Sequence, residues 1–390
     1  MSTPMLTAAL RARPHEPLPL EQPLEIAALP TPALVLDRAA LTRNIDRMAA
    51  HATAHGKGLR PHAKTHKCPE LSRRQLDAGA VGVCAAKVSE AFVLVHAGIE
   101  PVLITSPVTT PTKAAVVADL AAITEHLAIA VDSEAGLQQL LDALSGKQVN
   151  KLGVVIDFDI AMGRTGTRSN DEVRRLHERI ETSPALHFVG FQHYAGHVMH
   201  VEGHGERATA SLALWAQVQE RIAELATGAI VPEVVTGCGT GTYDIDVAVP
   251  EITDMQVGSY VFMDEEYRRI GGQDSDRFTD FEVSLTVAAT AISQPVANGI
   301  TVDAGYKSMA SDTVPPAVDE LANTKFRFAG DEHGVLLSRE SMQSVRLGDV
   351  IRLVTPHCDP TVNLHDYYWV MEEDGLVHSL WPITARGCTW

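Results

Sequence analysis

Residues 31–67 read TPALVLDRAALTRNIDRMAAHATAHGKGLRPHAKTHK, and this stretch decides the fold. A short apolar run, Ala33–Leu36, is followed by Asp37, a residue type that often caps the N-terminus of a helix. Apolar side chains then recur on one helical face (Leu41, Ile45, Met48) before a second apolar run begins at residue 59. The stretch therefore predicts strand, helix and strand, the repeating unit of a parallel sheet.

The same alternation continues for about two hundred residues. The later strand candidates are Leu59–Ala63, Val81–Ala85, Val102–Thr105, Leu127–Val131, Val154–Asp157, Phe188–Gln192 and Val234–Thr236. Continuous apolar strands with helices between them indicate a parallel sheet that is buried on both faces. Eight strands favour a closed (β/α)8 barrel of the TIM type. An open doubly wound sheet ranks second, because no GxGxxG follows the first strand.

A different pattern begins after about residue 275. Extended runs follow one another without long helices, and Gly, Asp and Pro separate them as hairpin turns. These runs are Phe281–Ile292, Gly299–Val302, Lys325–Phe328, Val335–Ser338, Asp349–Val354 and Tyr367–Met371. They predict a mostly antiparallel β domain over residues 276–390, next to a barrel over residues 31–275.

The composition excludes several classes of protein. Lys and Arg number 32 against 49 Asp and Glu, and the net charge of −17 argues against binding to nucleic acid or to an anionic membrane surface. No run reaches the ~18 apolar residues of a membrane span. The five cysteines form no CxxC pair, and the first thirty residues lack the apolar core of a signal peptide. We expect an irregular N-terminal lead-in and a cytoplasmic protein without disulfides.

The densest group of chemically active residues is RPHAKTHK, residues 60–67. It lies at the end of the second predicted strand, and in a barrel the carboxyl ends of the strands form the active-site face. Neighbouring cations and burial lower the pKa of a lysine and free its amine to form a Schiff base. The alternative is a solvated basic loop.

A glycine-rich loop, TGCGTG at residues 236–241, follows the eighth predicted strand. Its glycines let the backbone approach a ligand, and successive amide groups can bind an anion. Barrels often bind phosphate with the loops after their last two strands, whereas a plain tight turn is the alternative. A strand-end lysine together with a phosphate loop suggests pyridoxal phosphate. Arg164, after the sixth predicted strand, is expected to face that cofactor.

A third candidate is His357-Cys358-Asp359 in the β domain. On a strand, His357 and Asp359 point to the same side and Cys358 points away. Imidazole and carboxylate suit Mn, Zn or Mg, and two protein ligands leave positions open for water and substrate, as in a catalytic site. A His–Asp hydrogen bond is the alternative. We interpret the histidines at positions 197, 200 and 204 as rim residues and not as a second metal site.

Several motifs occur in an order that resembles one family over residues 31–386. They are RPHAKTHKCPE, KVSEA, TGCGTG, MQVGSYVFMD, DAGYKS, DEHGV and PHCDPTVNLHD. The chain resembles the D-threonine aldolase and D-serine dehydratase family of fold-type III pyridoxal-phosphate enzymes, relatives of alanine racemase.

The resemblance implies a role for each matching residue. Lys64 would bind the cofactor, Arg164 would face its pyridine side, and Tyr260 would hold the phosphate. The phosphate loop would contribute Thr236, Gly237, Gly239, Thr240 and Gly241. His357 and Asp359 would bind the divalent metal, with Mn expected and Mg or Zn as alternatives. The resemblance also implies that residues 1–30 join the β domain and that the protein is a homodimer in which each subunit completes the other's site.

The implied reaction is retro-aldol cleavage of a D-β-hydroxy-α-amino acid to glycine and an aldehyde. Dehydratases of this family usually carry His-x-Cys where this sequence has His357-x-Asp359, which favours an aldolase over a dehydratase on the same scaffold. His62, His66 and His193 are the candidates for relaying the hydroxyl proton. The substrate stays open between D-threonine, D-phenylserine-like compounds and D-3-hydroxyaspartate. A non-catalytic carrier of the cofactor is a further alternative.

Overall fold

A computed structural model describes residues 3–321, 323–339, 342 and 344–390. The helices in this part are α1 Thr3–Arg11, α2 Arg38–Ala54, α3 Pro69–Asp77, α4 Val88–His96, α5 Pro111–Ala121, α6 Glu134–Leu144, α7 Asn170–Glu181, α8 His204–Thr227, α9 Tyr243–Asp246, α10 Glu265–Arg268 and α11 Cys358–Val362. Short 3-10 turns lie at Ile26–Ala28, Thr240–Thr242 and Ser259–Val261.

The strands occupy two sheets. They are β1 Leu18–Leu24, β2 Ala33–Asp37, β3 Gly58–Leu59, β4 Val83–Ala85, β5 Val102–Ile104, β6 Leu127–Val131, β7 Leu152–Phe158, β8 Leu186–His193, β9 Val234–Gly237, β10 Asp254–Met255, β11 Leu285–Val296, β12 Gly299–Val302, β13 Thr324–Phe328, β14 Gly334–Ser338, β15 Val350–Val354, β16 Tyr367–Met371 and β17 Val377–Pro382.

The first sheet is a ring of eight parallel strands in the order β3-β10-β9-β8-β7-β6-β5-β4. A parallel bridge between His62 and Cys84 joins its two ends. Helices α3 to α9 each connect one strand to the next. The predicted (β/α)8 barrel is therefore confirmed, and the open doubly wound alternative is wrong.

The second sheet is mostly antiparallel and follows the order β1-β17-β16-β2-β11-β12-β14-β13, with β15 paired to β11. All six extended runs predicted after residue 275 form strands of this sheet. A second domain built on an antiparallel sheet is thus confirmed. The exact division of the chain at residues 31 and 275 stays a prediction.

One predicted barrel strand belongs to the other sheet. Strand β2 pairs antiparallel with β11 and parallel with β16, and the two-residue strand β10 takes the eighth place in the barrel. Leu34 and Leu36 of β2 pack into the main core, whereas Ala33 and Val35 pack into a separate cluster below the second sheet. Residues 33–36 are all apolar because both faces of the strand are buried. Burial on both faces does not show which strands pair with it.

The N-terminal segment is more regular than expected. Helix α1 contacts α4, and β1 pairs antiparallel with β17, although an irregular lead-in was predicted. The prolines of LPLEQPL are compatible with an edge strand, which pairs along only one side. The segment preceding β2 thus joins the sheet built from the C-terminal strands, as the family resemblance implies.

Two further observations concern the predictions about disulfide bonds and membrane spans. All five cysteines lie in the described part of the chain, and each is buried and free of disulfide bonds, as predicted. Across residues 3–321, 323–339, 342 and 344–390, no helix is both long and apolar enough to span a membrane.

Candidate active site

The candidate site is a cavity of about 510 Å³ at the carboxyl ends of the barrel strands. Its lining residues come from the loops that follow these strands, the position where barrel enzymes carry their active sites. Five of the predicted site residues line it: His62, Lys64, Arg164, Gly239 and Thr240. The other predicted residues surround this cavity without forming its wall.

Lys64 occupies the loop after β3, the first barrel strand. Its Nζ lies 3.7 Å from Oδ2 of Asp359 and 5.7 Å from the ring centre of Tyr194. Lys67 holds this loop against the second domain, because its ammonium group donates hydrogen bonds to the carbonyl oxygens of Lys64 and Asp359. The predicted basic cluster is thus an ordered part of the site and not a solvated loop.

Asp359 is the strongest of the groups that favour the charged form of Lys64. Burial is the largest single effect and disfavours the ammonium form, but Asp359, Tyr194 and Glu90 together outweigh it, and the pKa of Lys64 is raised. The expectation of a lowered lysine pKa is therefore wrong for the protein without bound groups. That expectation rested on neighbouring cations and on burial, whereas the strongest opposing charge comes from Asp359, almost three hundred positions away.

The glycine-rich loop follows β9, which is the seventh barrel strand and not the eighth. Gly239 and Thr240 line the cavity. A Cβ atom at Gly237 would overlap the carbonyl oxygen of His193, and one at Gly241 would overlap that of Met199. The glycines are therefore required by close packing of the loop against neighbouring backbone, which fixes the part that faces the cavity.

Two predicted residues, Tyr260 and His66, are fully buried and do not line the cavity. The Tyr260 hydroxyl accepts a hydrogen bond from Nε2 of Gln75, whose Oε1 lies 3.2 Å from Nε2 of His66. Nδ1 of His66 accepts from the amide of Cys68. Burial lowers the pKa of His66 to about 3. The structure thus uses both side chains to support the Lys64 loop from behind.

Tyr260 contacts the glycine-rich loop through its backbone. Its amide donates a hydrogen bond to Oγ1 of Thr240, and the two preceding residues, Gly258 and Ser259, line the cavity. Thr236, at the start of the glycine-rich loop, is fully buried and accepts a hydrogen bond from Gln256. Near the glycine-rich loop, the cavity is consequently lined by Gly239, Thr240 and Ser259.

The three histidines proposed as proton relays lie in different places. His62 lines the cavity and its Nε2 is 3.2 Å from Oγ1 of Thr105, whereas His66 and His193 do not line it. His193 packs edge-on against Trp215, and burial lowers its pKa to about 4. Burial also lowers the pKa of His62 well below its usual value. Only His62 of the three is therefore placed to exchange a proton with a ligand in the cavity.

Arg164 and Tyr194 form one wall of the cavity. The guanidinium carbon of Arg164 is 5.4 Å from the ring centre of Tyr194, on which Lys64 also rests. Arg164 is solvent-exposed and lines the cavity, and its predicted position facing a cofactor stays a prediction. The sequence analysis did not identify Tyr194, because a lone tyrosine after a strand has no distinguishing pattern.

The floor of the cavity is an amide network that the sequence analysis missed. Gln256 donates to Oε1 of Gln192, and Gln192 donates in turn to Oδ1 of Asp157 and to the carbonyl oxygen of Thr105. Burial raises the pKa of Asp157 to about 6, although hydrogen bonds from Gln192 and Thr165 oppose this rise. Both glutamines end or follow barrel strands, which is the only sequence signal that points to them.

The predicted metal pair lies at the start of a helix and not on a strand. His357 has extended backbone dihedrals and is the N-cap residue of α11, and Asp359 lies in the first turn of that helix. Oδ2 of the buried Asp264 accepts a hydrogen bond from the amide of Cys358, which anchors the turn to the barrel. Asp359 nevertheless lies 3.7 Å from the cavity-lining Lys64. The strand prediction failed because a proline-flanked pair carries no periodicity.

The chemistry of the pair suits a divalent cation. Oδ1 of Asp359 is buried and finds no hydrogen-bond partner in the described part of the chain. Burial disfavours its charge, but Lys64, Lys67 and His357 lower the pKa of Asp359 to about 2. Nδ1 of His357 is 2.8 Å from Asp312, which leaves Nε2 for another ligand. An ionised carboxylate oxygen of Asp359 and an imidazole nitrogen of His357 are thus available to bind a cation.

Additional acidic and imidazole groups surround this pair. Nε2 of His200 lies 3.7 Å from Oε1 of Glu266, and Oε2 of Glu266 lies 3.8 Å from Nδ1 of His357. Burial raises the pKa of Glu266 to about 7. His200 also packs against Tyr267, which lines the cavity, so it lies closer to the site than the rim position assigned to it. Among the described residues, no set of three or more ligands is arranged as a ready metal site.

Two family profiles match this chain. The profile described as "Alanine racemase, N-terminal domain" matches residues 36–266. A serine dehydratase domain profile matches residues 284–371. The first match contains the barrel and the second most of the antiparallel sheet.

Curated proteins and solved structures match over nearly the whole chain. D-threonine aldolase from Arthrobacter sp. is 38% identical over 96% of each chain. 3-Hydroxy-D-aspartate aldolase from Paracoccus denitrificans (strain Pd 1222) is 34% identical over 93% of this chain and 94% of its own. The structure of D-threonine aldolase from Filomicrobium marinum superposes with a TM-score of 0.90 at 34% identity, covering 95% of this chain and 100% of its own. D-threo-3-hydroxyaspartate dehydratase from Delftia sp. (strain HT23) is more distant, at 27% identity over 91% of this chain and 97% of its own.

Proposed function

Because the chain belongs to the alanine racemase-like family that includes D-threonine aldolase, we propose that it is a carbon–carbon lyase. Its reaction would be retro-aldol cleavage of a D-β-hydroxy-α-amino acid to glycine and an aldehyde. The observation that carries the proposal is the position of Asp359, a carboxylate that faces Lys64 at 3.7 Å. Asp359 stands where the family's dehydratases usually carry a cysteine, and relatives named as aldolases are more similar to the chain than the Delftia dehydratase.

The cavity fits pyridoxal phosphate. It opens at the barrel's carboxyl end and is lined by Lys64 and by the hydroxyl-bearing residues Thr240 and Ser259. Lys64 would hold the cofactor covalently, Thr240, Ser259 and the Gly239 backbone would hold its phosphate, and Arg164 would face its ring. Pyridoxal phosphate, when bound, supplies an electron sink for the negative charge left on Cα as the Cα–Cβ bond breaks.

His357 and Asp359 would hold the divalent metal, with Mn expected and Mg or Zn as alternatives. The buried, unpartnered Oδ1 of Asp359 is the atom that supports this assignment, because an ionised oxygen without a partner is costly to bury. A divalent ion at these ligands supplies a Lewis acid that lowers the pKa of a hydroxyl group. The metal ligands belong to the second domain and the lysine belongs to the barrel, so the reaction would take place where the two meet.

The chain's own residues organise the reacting groups. Asp359 keeps the Lys64 amine charged before a ligand enters, because it raises the pKa of that lysine. Lys67 fixes the spacing between the Lys64 loop and α11 by hydrogen bonding to both backbones. Burial lowers the pKa of His62, which favours its neutral form, and its ring is the one among the three candidate histidines that lines the cavity and could take up or return a proton there.

We also propose that the active form is a homodimer. Several apolar side chains of the second sheet or its loops are exposed, including Ile292, Val296 and Tyr306, and Tyr306 stacks on Phe328 at 4.6 Å between ring centres. Apolar side chains left exposed on a domain are available to be covered by a second copy of the chain. Light scattering of the purified protein would give twice the mass of one chain if this proposal is right.

The function is tested by chelation and metal restoration with product analysis. Cofactor-loaded protein should release glycine from at least one of D-threonine, D-phenylserine and D-3-hydroxyaspartate, lose this activity with a chelator, and regain it with Mn²⁺. Ammonia and a 2-oxo acid as the products would support the dehydratase alternative. Absence of turnover in every sample, despite bound cofactor, would support the non-catalytic carrier.

A further inference from the structure

Asp312 contacts His357, one of the two predicted metal ligands. It lies outside every motif considered above. Its Oδ2 lies 2.8 Å from Nδ1 of His357, a normal hydrogen-bond distance. The nearest competing carboxylate is Glu266, whose Oε2 is 3.8 Å from the same nitrogen and therefore beyond hydrogen-bond range. Asp312 is thus the hydrogen-bond partner of this imidazole.

The segment that carries Asp312 is attached at both ends to the elements that carry His357. On one side, the amide of Ala310 donates a hydrogen bond to Oγ1 of Thr361, in helix α11. On the other side, the amide of Val354, in β15, donates to the carbonyl oxygen of Ala317. Residues 310–317 therefore span from the strand before His357 to the helix after it, which fixes the Asp312 carboxylate beside the ring.

The hydrogen bond selects one form of the imidazole. A carboxylate is only an acceptor when ionised, so Nδ1 of His357 must carry the proton that is shared with Asp312. The lone pair is then on Nε2, the nitrogen left to bind a cation. Metal-binding histidines commonly donate their second N–H to a carboxylate, which orients the ring and increases its basicity as a ligand.

We propose that Asp312 is a positioning residue that presents Nε2 of His357 to the divalent metal. This inference depends on the proposed function, because it assumes that His357 binds the metal. It predicts that removal of the Asp312 carboxylate weakens metal binding while both direct ligands remain in the chain. Asp312 is half-exposed, so water can replace part of the lost interaction and a complete loss of binding is not expected.

Isothermal titration of Mn²⁺ into metal-stripped, pyridoxal phosphate-loaded protein tests the inference. Asp312→Ala should weaken Mn²⁺ binding about tenfold, the lower end of what loss of such a partner costs. Asp312→Asn should lose less affinity, because its amide oxygen can still accept from Nδ1. The control is Asp142→Asn, a hydrogen-bonded carboxylate on an outer barrel helix, and it should bind as wild type does.

Three further measurements separate the possible failures. Saturating Mn²⁺ should restore the kcat of Asp312→Ala, which a misfolded protein would not allow. Ring ¹⁵N shifts of His357 in the isosteric Asp312→Asn variant report the imidazole form directly if the alanine variant is unstable. Suppose that folded Asp312→Ala binds Mn²⁺ with unchanged affinity whereas His357→Ala does not bind it. The role proposed for Asp312 would then be wrong, but the proposed function would stand. If the wild type shows no Mn²⁺ binding, or if His357→Ala binds Mn²⁺ as tightly as the wild type does, the proposed function itself fails.

Discussion

Nζ of Lys64 and Oδ2 of Asp359 are 3.7 Å apart, although one residue follows the first barrel strand and the other lies in a helix next to the antiparallel sheet. Their proximity brings the predicted cofactor-binding amine and a predicted metal ligand into one site. It also couples their charges, because each group shifts the pKa of the other toward the ionised form. The predictions below test the consequences of this arrangement.

Replacement of Lys64 should abolish covalent cofactor binding. Lys64→Ala, incubated with pyridoxal phosphate and then dialysed, should lack the visible absorbance of the wild-type protein. Lys87→Ala is the matched control, since Lys87 is a second lysine that lines the same cavity, and it should keep the absorbance. The assignment would be wrong if the control lost the visible band and Lys64→Ala kept it.

Removal of the Asp359 charge should lower the pKa of Lys64. Without the carboxylate, burial and the Arg164 charge both disfavour the ammonium form, and no comparable anion replaces it. The pH titration of ¹³C-labelled lysines by NMR in cofactor-free Asp359→Asn should report this decrease. Asp132→Asn removes another carboxylate of the cavity wall and should leave the Lys64 titration in place. If the pKa of Lys64 were the same in Asp359→Asn and in the wild type, the proposed coupling between the two charges would be wrong.

Gly241→Ala should disrupt the loop that is expected to bind phosphate. The added Cβ overlaps a backbone oxygen of Met199, which cannot move independently of its chain. We expect a loss of about 1–3 kcal/mol in the free energy of unfolding and weaker binding of pyridoxal phosphate. Gly205→Ala is the control, because Gly205 lies in α8 with open space around it and the substitution should be neutral or stabilising. Wild-type stability in Gly241→Ala would show that the loop is not closely packed.

Acidification should destabilise the protein in part through His66. Its pKa falls from 6.5 to about 3 on folding because the ring is buried. Between these values the unfolded chain binds a proton that the folded protein does not, so stability decreases as the pH is lowered. Urea unfolding gives the free energy of unfolding at pH 6.5 and at pH 5. The decrease between these two pH values should be about 1.5 kcal/mol smaller for His66→Asn than for the wild type. The exposed His126→Asn should follow the wild type, and parallel curves for all three proteins would refute the assignment.

The fold was predictable from the sequence where the pattern of a strand also indicated the sheet to which that strand belongs. Seven barrel strands and the six later strands were identified because each is a run of apolar or alternating residues between turn signals. The error at Ala33–Leu36 arose because a continuous apolar run indicates burial on both faces and not the sheet to which it belongs. Strand β10 has two residues, Asp254 and Met255, which is too short for any periodicity.

The site was predictable only where residues form a contiguous motif. Lys64, the glycine-rich loop and the His357–Asp359 pair were found in this way. Asp312, Tyr194 and the glutamines of the cavity floor are isolated in sequence and reach the site through tertiary packing. The side chains of His66 and Tyr260 belong to recognised motifs, yet they point into the core, because a motif does not specify the direction of each side chain.

The most direct test of the account is the identity of the products from D-threonine. Purified protein loaded with pyridoxal phosphate and Mn²⁺ would be incubated with D-threonine, and glycine, acetaldehyde, ammonia and 2-oxobutanoate would be quantified in the same sample over time. A retro-aldol lyase that accepts this substrate forms glycine and acetaldehyde in equal amounts without ammonia, and this is the result we predict. Formation of ammonia and 2-oxobutanoate in equal amounts, without glycine, would contradict the proposed reaction.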